Sequence, residues 1–319
     1  MKRTLTCLAT LGLAASLVSP ALAFEPDQDV DVIVPSSAGG GSDLFARTLA
    51  DVIRSENLAE DTNYVVTNRP GGSGAVALAY ATTQTGNNDM LITIAIGQII
   101  SSYALDWDIK GADMTPIAIM ANDDFFLCAL TDRFENAEAA IEAAKSGDIT
   151  FGSSQKANSD HLAYLLLNKY AETNFKYVQF GGSGEVMSAL LGGHVDVGIF
   201  NPGEARGQIA AGTVVPLASF SAERMDSPMF GDTPTFTELG YPDVVAAETR
   251  VVLGPPEMDD DAVAYYEDLL GKVAETDRWQ QDYIARNNLS PVFMDSAATE
   301  EHLKTVIEKR VPIFEESGL

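Results

Sequence analysis

The sequence predicts an α/β fold of two lobes, each a mostly parallel sheet flanked by helices, with two crossover strands at a hinge. Three observations carry this reading. Strands and helices alternate in two separate runs; several strands are apolar on both faces, as strands buried in a parallel sheet are; and the last seventy or so residues hold too few strands to form a core of their own.

The first run opens with the apolar strand 30–34, followed by a helix over 43–56 that places Phe45, Leu49, Val52 and Ile53 on one face. A strand at 64–67, a helix near 75–83 and the wholly apolar strand 90–96 complete it. Segment 115–122 then carries the chain out of the first lobe. The second run reads as strand 148–151, helix 159–170, strand 176–180, helix 184–191, strand 194–200, helix 203–211 and strand 214–220. A glycine- and proline-bearing loop over 226–241 precedes a second apolar crossing at 246–253. Helices over 260–276, 278–287 and 300–314 are then expected to pack on the first lobe. The division expected is 24–121 with 249–319 for lobe 1, and 122–248 for lobe 2.

Residues 1–23 read as an export signal: Lys2 and Arg3, an apolar run over 5–18, then Pro20-Ala21-Leu22-Ala23 with cleavage before Phe24. The apolar run is shorter than a spanning helix needs, and no lipoprotein-type box precedes Cys7 at the cleavage point, so the periplasm is the expected compartment. Only Cys128 remains after cleavage, which excludes an intramolecular disulfide and leaves stability to core burial. The chain carries 20 basic and 46 acidic side chains for a net charge of −26, and losing Lys2 and Arg3 with the signal deepens this by two. Nucleic acid and anionic membrane surfaces are therefore excluded as partners, since both need a basic footprint. With three histidines and no metal-ligand spacing, neither a metal nor a cofactor is expected.

The chemistry concentrates in strand-to-helix turns. Ser36-Ser37-Ala38-Gly39-Gly40-Gly41-Ser42-Asp43 links the first strand to its helix. Glycines there allow close backbone approach, and the exposed N–H groups of a helix start favour an anion. A second such turn, Gly152-Ser153-Ser154-Gln155-Lys156-Ala157-Asn158-Ser159-Asp160, leads into the helix containing His161. Two cradles facing one small anion between two lobes is the expectation, and local backbone dipoles outweigh the screened global acidity. His161 reads as a hydrogen bonder that fixes its loop rather than as a catalyst. Gly72-Ser73-Gly74-Ala75-Val76-Ala77 only loosely matches a dinucleotide fingerprint and follows the wrong strand. Neither Gly71-Gly72-Ser73-Gly74-Ala75 nor Gly181-Gly182-Ser183-Gly184-Glu185 completes a nucleophile elbow.

Taken in order, Ile33-Val34-Pro35 with Gly39-Gly40-Gly41-Ser42-Asp43, Asn68-Arg69-Pro70-Gly71, Gly152-Ser153-Ser154 through His161-Leu162, Leu190-Leu191-Gly192-Gly193-His194-Val195-Asp196 and Asp232-Thr233-Pro234-Thr235-Phe236-Thr237-Glu238-Leu239-Gly240 resemble the tripartite tricarboxylate transporter substrate-binding receptors, the TctC or Bug family. The resemblance covers essentially the whole chain after the signal. It implies a non-enzymatic, type II-like two-lobed periplasmic binding protein, expected to be a monomer. Such a receptor closes on a small carboxylate and delivers it to the membrane permease subunits of an ion-driven transporter. By position it implies ligand contacts from Ser37, Gly39, Gly40, Gly41, Ser42 and Asp43, from Ser153, Ser154, Asn158 and Ser159, and from Gly181, Gly182 and Asn201. Ser36, Gln98, His161 and Arg250 complete the candidate set.

Three positions depart from the family pattern: Ser36 replaces a frequent aromatic, Phe200 stands where an aspartate commonly precedes Asn201, and Arg250 occupies an aromatic-rich position. Losing an acid and gaining a guanidinium favour a more anionic or differently shaped ligand. Arg250 is open to two roles, gripping the ligand or pairing with Glu248 or another acid. The competing functions are a receptor that presents its ligand to a sensor kinase, and an exported hydrolase using Ser153 or Ser154 with His161.

Overall fold

The computed structural model describes residues 24–318 apart from Gly40, Glu60, Asp61, Gln155 and Lys156, so the expected signal at 1–23, with Cys7, lies outside the described residues. Two sheets flanked by helices make up the molecule. The first begins with β1 (Val30–Val34), α1 (Gly41–Ser55), β2 (Tyr64–Asn68), α2 (Ala75–Thr82), β3 (Met90–Ala95) and α3 (Ile96–Ala104). β4 (Thr115–Asp124) continues into β5 (Phe126–Leu130), and α4 (Ala137–Ala144), β6 (Thr150–Ser153), α5 (Ser159–Tyr170), β7 (Lys176–Gln179), α6 (Ser183–Leu191), β8 (Val197–Phe200), α7 (Pro202–Ala210) and β9 (Val214–Ser219) follow. The chain ends with β10 (Ala247–Gly254), α8 (Asp260–Glu275), a π-helical stretch Trp279–Ala285, β11 (Ser290–Met294) and α9 (Ser296–Glu316).

Strand order is β11-β4-β10-β3-β1-β2 in one sheet and β7-β6-β8-β5-β9 in the other. β1 pairs in parallel with β2 and β3, and β6 with β7 and β8. The sheets are mixed, however, not mostly parallel: β10 runs antiparallel to β3 and β4, β11 to β4, and β5 to β8 and β9. The reason lies in the crossings. A chain that leaves a sheet along one strand and returns along its neighbour must run the two in opposite senses, and βαβ units supply parallel pairs only where the chain stays within one sheet.

β3 is buried at every position, as a strand between two neighbours with both faces covered should be. α1 turns Phe45, Leu49, Val52 and Ile53 inward, the face its periodicity predicts. There Phe45 meets Trp279 and Tyr283 of the π-helical stretch at ring-centroid distances of 6.0 and 5.7 Å. The sequence reading missed α3, α4, β5 and β11. α3 follows β3 without an intervening turn, and β5 follows β4 after Phe125 alone, so neither boundary carries the glycine or proline that marks a break.

Two segments cross between the sheets side by side. The Phe220 N–H donates to the Phe125 carbonyl at 2.9 Å, and the Ala246 N–H donates to the Phe220 carbonyl at 2.9 Å. A third connection comes from α9, which was expected on the first lobe alone. Its start follows β11, but its end lies on α5, where Phe314 meets the His161 ring at 5.7 Å and Lys169 pairs with Glu316 at 2.6 Å. Arg310 donates to the carbonyls of Asp243 and Val245 at 3.4 and 3.0 Å. One apolar cluster accordingly runs from Ile33 and Ile92 to Phe151 and Leu166, with Phe314 in it. Among the described residues no helix is long and apolar enough to cross a membrane.

Phe314 is fully buried, so Phe314→Ala is expected to cost about 3–5 kcal/mol through lost transfer energy and the cavity left behind. Urea unfolding should show a lower midpoint with an unchanged slope; an unchanged midpoint would show that the end of α9 is not bound to the core.

Candidate functional site

The first turn is held by an acid within its own helix. Asp43, the third residue of α1, accepts the Gly39 N–H at 2.8 Å and the Asn68 Nδ2–H at 2.9 Å, and Arg47 grips both its oxygens, from Nε at 3.0 Å and Nη2 at 2.9 Å. Asn68 also donates to the Ser36 carbonyl at 3.0 Å. The Arg47 hydrogen bond, with those from Gly39 and Asn68, holds the Asp43 carboxyl down at about 2 against the opposing effect of burial. Asp43 is thus an anchor of the loop, its oxygens spent on protein donors. Gly39 has φ of 85°, a left-handed conformation that glycine adopts without a Cβ penalty.

This turn opens on a cavity of about 510 Å³ between the two sheets. Ser36, Gly39, Gly41 and Ser42 line it from the first turn, Asp123 and Arg250 from the crossing strands, Asn201, Gly203 and Glu204 from the start of α7, and Tyr283, Asn287 and Leu289 from the segment before β11. Arg250 settles one alternative: its Nη2 meets Asp123 Oδ2 at 2.6 Å with both side chains 10% exposed, so the direct partner is Asp123 and not Glu248. Glu248 instead accepts the Gly97 N–H at 3.0 Å. Gly41 must be glycine for a steric reason, because a Cβ there would stand 3.0 Å from Arg250 Nη2. Two polar atoms, Ser36 Oγ and Arg250 Nε, are buried without a hydrogen-bond partner among the described residues. Such atoms are costly unless something meets them.

The second turn is not among the lining of this cavity. Ser153 is fully buried at the end of β6, and the Ser154 hydroxyl donates to Asp160, with the Ser154 N–H reaching the same oxygen at 3.3 Å. The Asn158 side chain caps α5 by accepting the His161 N–H at 3.1 Å. His161 Nδ1 accepts the Ala157 N–H at 3.1 Å while its ring stacks on Tyr177 at 4.4 Å, a loop-fixing arrangement. Ser159 lies against Gly97 and beside the Glu248 carboxylate, so this turn is folded onto the start of α3. Hydrogen bonding inside the loop takes up Ser154 and Asn158, while Ser153 Oγ and Ser159 Oγ are buried without a hydrogen-bond partner among the described residues.

The other candidates divide similarly. Asn201 lines the cavity and ties α7 to β4, donating from Nδ2 to the carbonyls of Asp123 and Asp124 at 3.1 Å each. Gln98 caps α3 by accepting the Ala95 N–H at 3.2 Å. Ser37 is exposed and outside the lining, and Gly40 lies outside the described residues. Gly181 and Gly182 border a different depression with Glu185 and His194, and the Gly181 N–H is taken by Glu185 at 2.9 Å. Asp123, Glu204, Tyr283 and Asn287 were not singled out from sequence. The Asn201-Pro202-Gly203-Glu204 capping box could have flagged Glu204, since Glu204 Oε2 accepts the Asn201 N–H at 3.0 Å. Among the described residues no group of three or more His, Cys, Asp or Glu is placed to hold a metal ion.

Burial pushes the Asp160 carboxyl up to about 7, with the Ser154 hydrogen bonds opposing and the Glu204 and Glu248 charges adding to the rise. Between roughly pH 4 and 7 the folded protein then keeps a proton that the unfolded chain has released, so stability falls as pH rises through that window. Asp43 acts oppositely and only at lower pH, where protonation removes its contribution. Melting temperature is expected to drop from pH 5 to 7.5, and Asp160→Asn to flatten that slope; an unchanged slope in the variant would place the titration elsewhere.

Comparison with known proteins agrees with this architecture. A TctC solute-binding protein from Polaromonas superposes with a TM-score of 0.79 over 91% of this chain and 99% of its own, at 22% identity. The MatC protein of Rhodopseudomonas palustris with bound malate gives 0.72 at 18% identity over 91% of this chain and 99% of its own, and an R. palustris protein with adipate gives 0.75 at 20% over 92% and 98%. In sequence the chain is 24% identical to the protein BugT of Bordetella pertussis over 98% of its length and 95% of that relative. It is 26% identical to a UPF0065 protein of Cupriavidus necator over 98% and 94%. Residues 45–319 match the family described as the tripartite tricarboxylate transporter family receptor. With most of its length so matched, the chain belongs to the TctC family of solute-binding receptors, which are not enzymes.

Proposed function

We propose that this chain is a periplasmic receptor that captures a small organic carboxylate in the 510 Å³ cavity and delivers it to the membrane permease of a tripartite tricarboxylate-type transporter. The observation that carries the reading is the meeting of the first turn with Arg250. Backbone N–H groups at the start of α1, the Ser36 hydroxyl and a guanidinium with one unpartnered nitrogen converge on one small space, a donor set suited to a carboxylate. Similarly folded proteins hold malate and adipate. Residues 24–121 with 249 to the start of α9 form one moving body and 122–248 the other, pivoting where β4 and β10 cross, with the end of α9 resting on α5 of the second. Ligand shifts the open–closed balance by binding the closed form better.

The reading predicts melting-temperature increases with a panel of C3–C6 carboxylates. Ser36→Ala, which removes one neutral hydrogen bond, should weaken the best ligand several-fold. Arg250→Lys keeps the charge opposite Asp123 and loses the planar fork, and should weaken it about 10- to 100-fold. Titration calorimetry reads both. No response to any carboxylate, or equal affinity in both variants, would refute the assignment.

A further inference from the structure

Glu248 stands on β10 beside the crossing, outside the lining of the 510 Å³ cavity, and its carboxylate reaches the place where two helices begin. One oxygen accepts the Gly97 N–H at 3.0 Å, in the first turn of α3. The other would lie 3.0 Å from a Cβ added at Gly97, and that same point is 2.7 Å from Ser159 Oγ and 3.0 Å from the backbone nitrogen of Ser159, the first residue of α5. One carboxylate therefore stands at the starts of two helices, one following β3 of the first sheet and the other following β6 of the second. First turns carry N–H groups without intrahelical partners and the positive end of the dipole, so both helices favour an anion there.

The buried hydroxyl at this spot tells the same story. Ser159 is 1% exposed, and its Oγ has no hydrogen-bond partner among the described residues, which is costly unless a charge or dipole nearby compensates. Burial, with the Glu204 charge, raises the Glu248 carboxyl above its ordinary range, while Arg250, the Gly97 N–H and Ser159 oppose that rise. Around the carboxylate the two helices are already in contact: the Ser101 hydroxyl of α3 donates at 2.8 Å to the carbonyl of Ala157, just ahead of α5. Ala157 has φ of 61°, a left-handed conformation unfavourable for alanine, and it is held there from both sides, by Ser101 on its carbonyl and by His161 Nδ1 on its N–H. Gly97 permits the approach because it has no Cβ to stand between Ser159 and Glu248.

We propose that Glu248 is a built-in ligand, whose carboxylate fills an anion site made by the starts of α3 and α5 and ties the two halves together without help from a solute. The vacated site would take a small monocarboxylate in its place. This goes beyond solute capture, since neither Gly97, Ser159 nor Glu248 lines the cavity.

Glu248→Ala empties the site, and sodium formate is the probe, compared with sodium chloride at equal ionic strength and pH 7.5. Formate at about tenfold its dissociation constant should raise the melting temperature of Glu248→Ala by about 2–4 °C and leave the wild type unchanged. Adding Ser159→Ala should weaken that response several-fold, which a carboxylate that merely capped α3 would not show. Gly97→Ala tests the bridge with every charge retained: alanine suits the helix, but its Cβ wedges between Ser159 and Glu248. Small-angle X-ray scattering of solute-free Gly97→Ala should give a larger radius of gyration than the wild type, and this measurement decides the matter should Glu248→Ala fail to fold. The inference is overturned by no formate-specific stabilisation of Glu248→Ala, by an equal shift in the wild type, by a response that survives Ser159→Ala, or by an unchanged radius in Gly97→Ala. Each of these results leaves the receptor reading standing, because that reading is tested by the carboxylate panel on the wild type.

Discussion

The pairing of Arg250 with Asp123 is the interaction around which the two halves are organised. Each is contributed by one of the crossing strands, β10 and β4, and each is nearly removed from water. Burying two such charges is expensive, and the attraction repays it only when geometry is close and other hydrogen bonds complete the shell. Here the shell is incomplete on one side: the buried guanidinium Nε has no hydrogen-bond partner among the described residues. An ion pair placed where the chain twice changes sheets ties β10 to β4 beside that crossing.

A division of labour among the acids follows. Asp43 is satisfied by Gly39, Asn68 and Arg47 and serves the loop. Asp160 is satisfied by Ser154 and serves the second turn. Asp123 and Glu204 face the cavity with capacity to spare. Net acidity of the whole chain therefore says little about the site, because it is the partners of each carboxylate that decide whether it builds the scaffold or meets the solute.

Much of the fold was legible because local patterns specify it. The β1–turn–α1 unit follows from an apolar strand, three glycines and the spacing of Phe45, Leu49, Val52 and Ile53, all within one stretch of chain. The expected α5 boundaries coincide with those observed, since Asn158 caps its start and the apolar face is continuous. The site was legible only in part. Ser36, Gly39, Gly41, Ser42, Asn201 and Arg250, all singled out in the sequence, line the cavity, but Arg250 is paired with Asp123, and the two are 127 residues apart, with no local signal joining them. Fate of the second turn was equally hidden: Ser154 and Asn158 look available until Asp160 is seen to accept from the first and the His161 N–H to donate to the second.

The return of α9 across the molecule bears on how such a receptor moves. A two-segment pivot leaves the halves free to swing about a line, whereas a third tether off that line turns the swing into a slide of packed surfaces. With Phe314 beside His161 and Arg310 donating to main-chain oxygens ahead of β10, the end of α9 ties the two halves together away from the crossing strands. In the receptor proposed above, restraint of this kind would leave less of the binding free energy to be spent on closure, by way of a helix outside the cavity lining.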